Sequence, residues 1–70
     1  MKLGYILSII TSHKYFIDFV EHDRPVCSYM VQDKELPSDI ITNCYDCEVI
    51  GIHQDEDTFI HITADLDRII

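Results

Sequence analysis

Residues 47–64, CEVIGIHQDEDTFIHITA, decide the fold that we predict for this chain of 70 residues. Two runs rich in β-branched and aromatic residues, 47–53 and 58–64, flank a polar tip of Gln, Asp, Glu and Asp. Strand-forming runs on either side of a short polar tip are typical of a β-hairpin. We therefore predict a hairpin that turns about Asp55 and Glu56.

The position of the turn predicts which residues of the hairpin face each other. Each strand residue alternates between the two faces of a sheet, so the turn determines the whole register. In this register His53 and His61 point to opposite faces, and one face of the hairpin is wholly apolar. The predicted partners across the hairpin are Val49 with Ile62, Gly51 with Ile60 and Cys47 with Ala64.

Composition favours β structure in the rest of the chain. Twelve isoleucines and four valines stand against one alanine, and β-branched side chains suit a strand better than a helix. We predict strands over 3–10, 15–21 and 26–32, and a short helical turn near residues 37–43, opened by Pro37, Ser38 and Asp39. The expected fold is mostly β, a small five-stranded antiparallel curved sheet or an SH3-like barrel, in a single compact domain over residues 1–70.

The second and third predicted strands also carry apolar residues on both faces. One face is predicted to hold Tyr15, Ile17, Phe19, Val26 and Met30, and the other Phe16, Val20, Cys27, Tyr29 and Val31. A sheet that is apolar on both faces must curl, stack against a second layer or meet a partner. A curved barrel, a dimer or hetero-complex, and a different register are the three interpretations that this pattern leaves open.

The charge is strongly negative and unevenly distributed. Thirteen acidic and five basic residues give a net charge of −8. Residues 1–35 hold five acids and four bases, a net of −1, whereas residues 36–70 hold eight acids and one base, a net of −7. Direct binding to nucleic acid or to an anionic membrane is disfavoured, because phosphate contacts need clustered Lys and Arg. The apolar run 3–10 is too short to span a membrane and lacks a signal-peptide pattern, so we expect a cytoplasmic protein.

The three cysteines Cys27, Cys44 and Cys47 indicate a reducing compartment, since an odd number does not suit a secreted disulfide framework. Cys44 and Cys47 form a C-x-x-C pair, which allows a small zinc-binding module as an alternative. His53 and His61 are candidate ligands, with Cys27 or His22 as substitutes. Six strand residues separate Cys47 from His53, about 20 Å at ~3.3 Å per residue, which is too far for one metal. We therefore predict no cofactor and no metal site.

No catalytic motif is present. The chain has no G-x-S-x-G sequence, and its two glycines, Gly4 and Gly51, cannot form a phosphate-binding loop. His61, on an apolar strand face, is expected to be a core or interface histidine. We predict that the protein is not an enzyme.

The sequence favours an acidic interaction protein that binds and inhibits a basic partner, such as a DNA- or RNA-handling enzyme, by presenting carboxylates where phosphates would lie. Charge steers such an encounter, and an exposed aromatic residue anchors it. Phage-encoded inhibitors and immunity proteins have this size and charge, although no motif assigns the chain to a family. A structural subunit or obligate homodimer is the other alternative. The predicted partner-binding residues are Asp46, Glu48, Asp55, Glu56, Asp57, Asp65, Asp67, Tyr45 and Phe59.

Overall fold

The computed structural model describes residues 1–33 and 43–69. The described elements are α1 Leu3–Ile9, β1 Lys14–Glu21, β2 Arg24–Gln32, β3 Cys47–Gln54 and β4 Ile60–Ile69. Most of the predicted helical turn near residues 37–43 lies outside the described residues.

The four strands form one mixed sheet in the order β2-β1-β4-β3. The pairs β1–β2 and β3–β4 are antiparallel hairpins, whereas β1 and β4 run parallel in the centre. Since β2 and β3 are both edge strands, the sheet does not close on itself. The mostly β class is confirmed, but the fifth strand, the purely antiparallel sheet and the SH3-like barrel are wrong.

The fifth predicted strand, over 3–10, is the helix α1. Leu3 and Ile6 are buried, and Leu7 and Ile10 pack partly buried against the core. These four residues have the spacing i, i+3, i+4 and i+7, which is the apolar stripe of a helix. The stripe gains burial against the sheet, and this gain outweighs the weak helix propensity of isoleucine.

The core lies between α1 and one face of the sheet. Tyr15, Ile17 and Phe19 of β1 alternate with half-buried neighbours, and Ile62 and Ala64 of β4 are their parallel neighbours. The remaining buried apolar residues are Leu3, Ile6, Val31 and Cys47. Burying one such large side chain contributes roughly 1.5–3 kcal/mol, so this single layer holds the central strands in place.

The β3–β4 hairpin is confirmed, but its predicted register is wrong. Ile52 lies opposite Ile62, and His53 lies opposite His61, whereas we predicted Val49 opposite Ile62. The reason is a longer loop, over residues 55–59, in which the Asp55 amide donates to the Phe59 carbonyl at 3.0 Å. The partner of Ile62 is displaced by three residues, an odd number, and an odd displacement exchanges the two faces of a strand.

The β1–β2 hairpin is also present, with one exchange of faces. Val31 lies opposite Tyr15, and Met30 lies opposite Phe16, whereas we placed Met30 with Tyr15 and Val31 with Phe16. His22 and Asp23 link the strands, and both have positive φ, 51° and 61°. Positive φ at both central residues is the requirement of a type I′ two-residue hairpin turn, and this tight turn determines the pairing.

The sheet face that points away from α1 is called the open face below. It carries Phe16 and Asp18 of β1, Met30 of β2, His53 of β3 and His61 of β4, which share this face through their cross-strand pairing. No helix in residues 1–33 or 43–69 covers it. The open face is therefore where exposed or half-buried side chains from all four strands meet.

Candidate functional site

His61 is held between two carboxylates on the open face. Its Nδ1 lies 2.8 Å from Asp18 Oδ2, and its Nε2 lies 2.8 Å from Asp55 Oδ2. Asp18 comes from the neighbouring parallel strand, and Asp55 begins the β3–β4 loop. A protonated ring donates through both nitrogens, so this arrangement suits an imidazolium that bridges two anions.

Aromatic rings form a column on both sides of His61. Phe16 stacks on it with ring centroids 4.8 Å apart and planes 11° apart, and His53 stacks with a spacing of 5.0 Å and an angle of 12°. Phe59 meets Phe16 edge to face at 6.0 Å, and Lys14 Nζ lies 4.7 Å from the centre of the Phe59 ring. The column fixes the plane of the His61 ring, and the two carboxylates fix its rotation within that plane.

Asp55 also organises its own loop. Its Oδ1 accepts hydrogen bonds from the amides of Asp57 and Phe59, both at 2.9 Å, which is how Asp commonly stabilises a turn. Its Oδ2 is left to accept from His61. One carboxylate therefore shapes the loop and positions the histidine at once.

The pKa values at this site are shifted in opposite directions. The pKa of His61 is raised, mainly because its hydrogen bond to Asp55 favours the protonated ring; partial burial opposes this, and Asp18 adds to it. The pKa of Asp55 is lowered, mainly by the hydrogen bond from His61 and further by the two loop amides, against a smaller effect of burial. Each partner therefore stabilises the charged form of the other.

His53 is the least constrained member of the cluster. Its side chain is exposed, and it makes no hydrogen bond or ion pair with any described residue. One ligand atom each from Asp18, His53 and His61 lie within 4.8 Å of one another. Two imidazoles and a carboxylate at this spacing are a possible set of metal ligands.

The predicted partner-binding residues separate into two groups at opposite ends of the β3–β4 hairpin. At the loop, the side chains of Asp55 and Phe59 contact the open face. The carboxylates of Glu56 and Asp57 have no ion pair or hydrogen bond among the described residues. The other group lies near Glu48 and Asp65, which face each other across the hairpin.

All four carboxylates of the second group have partners within the chain. Arg68 lies 3.4 Å from both Glu48 and Asp65. Asp46 lies 3.3 Å from Lys2 Nζ, and Asp67 accepts a 2.6 Å hydrogen bond from the His22 amide. Tyr45 packs against α1, where its carbonyl accepts from the Gly4 amide at 2.9 Å. With Asp55, five of the seven predicted carboxylates are therefore engaged internally.

The cysteine pair lies away from the histidines. Cys47 is buried in the core, and burial, followed by the nearby Cys44 thiol, raises the pKa of Cys47 from 9.0 to about 11. No cysteine belongs to a cluster of possible metal ligands within residues 1–33 and 43–69. Described contacts thus give no support to a zinc module at Cys44 and Cys47.

Sequence reasoning did not predict Phe16, Asp18, His53 or His61 as members of the site, although it considered His53 and His61 as metal ligands. The signal for His53 was the loop length, since a five-residue loop beginning with a turn-forming Asp places His53 opposite His61. No local signal identifies Phe16 or Asp18, because they reach His61 through a parallel pairing between strands about 45 positions apart.

No family model, curated protein or solved structure matches the chain. No helix within residues 1–33 or 43–69 is long and apolar enough to cross a membrane. Arguments about function therefore depend on the residues of the open face and the adjoining loop.

Proposed function

We propose that this chain is a small acidic interaction protein that binds a basic partner through the open face and the adjoining loop 55–59. The observation that carries the proposal is that Glu56 and Asp57, free of ion pairs among the described residues, lie between Asp55 and Phe59, whose side chains contact the open face. Free carboxylates thus adjoin half-buried aromatic rings of the open face.

The internal ion pairs reduce the number of predicted carboxylates that are available to a partner. Asp46, Glu48, Asp65 and Asp67 are engaged by Lys2, Arg68 or His22, so they contribute mainly to the overall field. That field remains strong, because the net charge is −8, and it accelerates encounter with a positively charged protein. Local contacts are assigned to Glu56 and Asp57.

The open face supplies the apolar part of the contact. Met30 is 50% exposed and lies opposite Phe16, and the half-buried Phe59 adjoins Phe16. Aromatic and methionine side chains are enriched in binding surfaces because they bury large areas on contact. A partner with Arg or Lys beside an apolar patch would match both parts of this surface.

Inhibition of a nucleic-acid-handling enzyme is the more specific form of the proposal. Carboxylates at the loop would occupy the positions of phosphates in the partner's basic channel. Heparin or duplex DNA would then compete with the chain for the same partner. The three cysteines form no disulfide, which suits the reducing cytoplasm, where we expect the protein to act.

A structural or dimeric function is the second candidate, favoured by a different observation. Ile50 and Ile52 on the edge strand β3 are 46% and 54% exposed, and exposed apolar edge strands invite pairing with another chain. Contact through these residues would persist at high salt, whereas contact through carboxylates would weaken.

The experiment is affinity capture on the immobilised full chain from a bacterial lysate, at about 0.1 M and about 1 M NaCl, where the Debye length falls from ~10 Å to ~3 Å. Wild type is compared with E56Q/D57N and with the control E21Q/D23N, which removes two charges at the other end of the sheet. Capture of a basic protein that is lost with E56Q/D57N, lost at high salt and retained with E21Q/D23N supports the proposal.

Three results would argue against it. Equal loss with both double variants would mean that only net charge matters. Capture that resists salt would favour the apolar edge strand and the structural function. Failure of heparin or duplex DNA to displace the partner would refute the inhibitory form while leaving partner binding itself intact.

A further inference from the structure

We propose that His53, His61 and Asp18 form a binding site for a divalent transition-metal ion, with Zn²⁺ as the best-suited ion. The proposal does not rest on the proposed binding of a basic partner, although both use the open face, because none of the three ligands is Glu56 or Asp57.

The sheet brings the three ligands together from three strands. His53 on β3 and His61 on β4 are direct cross-strand partners, and Asp18 on β1 lies opposite Thr63, two residues beyond His61 on the same face. One ligand atom from each residue lies within 4.8 Å of the other two. A rigid sheet, rather than a loop, therefore sets the spacing of all three side chains.

Asp55 completes the arrangement from outside the ligand set. A metal-binding histidine usually donates its second ring N–H to a carboxylate, which fixes both the tautomer and the ring orientation. His61 Nε2 lies 2.8 Å from Asp55 Oδ2, so Asp55 accepts from Nε2. Binding of the ion at Nδ1 releases to solvent the proton that Nδ1 of the protonated ring donates to Asp18. Asp55 is itself held by two loop amides, and it is a positioning residue in this site.

Small movements are sufficient to admit the ion. Tetrahedral bonds of about 2.0–2.2 Å place neighbouring ligand atoms roughly 3.4 Å apart, and Asp18 Oδ2 now lies 2.8 Å from His61 Nδ1. The Asp18 carboxylate moves back slightly, although it keeps the Ser28 hydroxyl, which donates to its other oxygen at 2.7 Å. His53 turns about its side-chain bonds, and its exposure and lack of hydrogen bonds allow this.

The donor set selects the class of ion. Two imidazole nitrogens and one carboxylate oxygen suit Zn²⁺ and its neighbours Co²⁺, Ni²⁺ and Cu²⁺, whereas Mg²⁺ and Ca²⁺ prefer oxygen ligands. Three protein ligands leave one tetrahedral position, which points to solvent on the open face. Water or a donor from another molecule fills that position.

A second cluster, Glu21, His22 and Asp67, has the same spacing but all three residues are exposed. There Asp67 Oδ2 already accepts from the His22 backbone amide at 2.6 Å. This cluster lacks the stacked rings and the outer carboxylate of the open face. It therefore provides a matched control within the same chain.

The test is calorimetric titration of the reduced full chain with Zn²⁺, followed by Co²⁺ as a spectroscopic probe. Wild type is compared with H53N, with H22N from the control cluster, and with C44S/C47S, which removes the thiol pair. We expect one ion per chain and d–d absorption without the thiolate-to-cobalt charge-transfer band. H22N and C44S/C47S keep the wild-type affinity. Because H53N removes a ligand, we expect its Zn²⁺ affinity to fall by more than the ~10–100-fold that loss of a ligand's hydrogen-bond partner costs.

The variant D55N tests the positioning residue. An amide nitrogen at the Oδ2 position donates to His61 Nε2 and drives the ring to the tautomer with hydrogen on Nδ1, which cannot bind metal. We expect about 10–100-fold weaker binding. A second measurement follows the histidine ring resonances by NMR, in which Zn²⁺ shifts His53 and His61 but leaves His22 unchanged.

Each of the following outcomes overturns the proposal. Absence of saturable Zn²⁺ binding by the folded wild type does so directly. Unchanged affinity in H53N does so as well, and circular dichroism of H53N confirms that the variant is folded. Binding that is lost in H22N or in C44S/C47S, while circular dichroism shows that the variant is folded, places the ion in the other cluster or at the thiols.

Discussion

Phe16 and His61 stack face to face across the parallel pair β1–β4, with ring centroids 4.8 Å apart and planes 11° apart. Replacing Phe16 by Leu keeps an apolar side chain on β1 but removes both this stack and the edge contact with Phe59. We expect the free energy of unfolding to fall by about 0.5–1.5 kcal/mol, measured by urea denaturation. Met30→Leu, opposite Phe16 on β2, is the control and should change stability by less than about 0.5 kcal/mol. Equal effects in both variants would contradict a specific ring contact.

The hairpin register predicts different costs for two isoleucines that face each other. Ile62 is fully buried, whereas its partner Ile52 is 54% exposed. Ile62→Val should lower the free energy of unfolding by about 0.5–1.5 kcal/mol, because it removes a buried methyl group. Ile52→Val should stay within about 0.5 kcal/mol of wild type. The opposite ranking would mean that the two strands pair in another register.

Gly4 is required by the position of Tyr45. A Cβ atom at Gly4 would lie 2.8 Å from Tyr45 Cδ2 and 2.9 Å from Cγ, and the 2.9 Å hydrogen bond between their backbones holds them together. We expect Gly4→Ala to cost about 1–3 kcal/mol through overpacking, which lowers the melting temperature by about 4–8 °C per kcal/mol. Gly51→Ala meets no atom within 4 Å and should leave the melting temperature unchanged or slightly higher. An unchanged melting temperature in Gly4→Ala would contradict this prediction, because it would show that Tyr45 can move away from the added methyl group.

Cys47 should react slowly with thiol reagents. Burial raises its pKa from 9.0 to about 11, so at pH 8 its thiolate fraction is about a hundredfold below that of a thiol with the ordinary value. Only the thiolate reacts, so the rate should keep rising as the pH approaches 11. Alkylation by iodoacetamide at pH 8, followed by mass spectrometry, should modify the exposed Cys27 long before Cys47. Comparable rates at the two cysteines would refute a buried Cys47 thiol.

The sequence predicted the strands and hairpins better than it predicted their arrangement. The strands β1, β2 and β3 lie close to the predicted ranges, because runs of β-branched and aromatic residues carry a local signal. β4 begins near its predicted start but continues to Ile69, five residues beyond the predicted end. The helix α1 was mistaken for a strand because composition was given more weight than the spacing of Leu3, Ile6, Leu7 and Ile10. The spacing was correct, and it was visible in the sequence.

The candidate site was predicted only in part for a different reason. Asp55 and Phe59 were predicted partner-binding residues, and both contribute side chains to the open face. Asp18 and His53 were not predicted as partner-binding residues. Asp18 reaches His61 through the parallel pairing of β1 with β4. His53 lies opposite His61 because the loop over residues 55–59 is one residue longer than the predicted polar tip. Parallel pairing leaves no pattern in either strand alone, so the sequence of β1 contains no sign that it adjoins β4.

The parallel seam between β1 and β4 means that this small sheet is two local hairpins joined along one line. Each hairpin closes a short loop, an event of about 1–10 μs, whereas the seam joins residues such as Tyr15 and Ile60 that are distant in sequence. Docking of the hairpins is therefore the slow, entropically costly event. Asp18 belongs to one hairpin and His61 to the other, so their contact exists only after docking. The NMR resonances of the His61 ring would therefore report when the final stage of folding takes place.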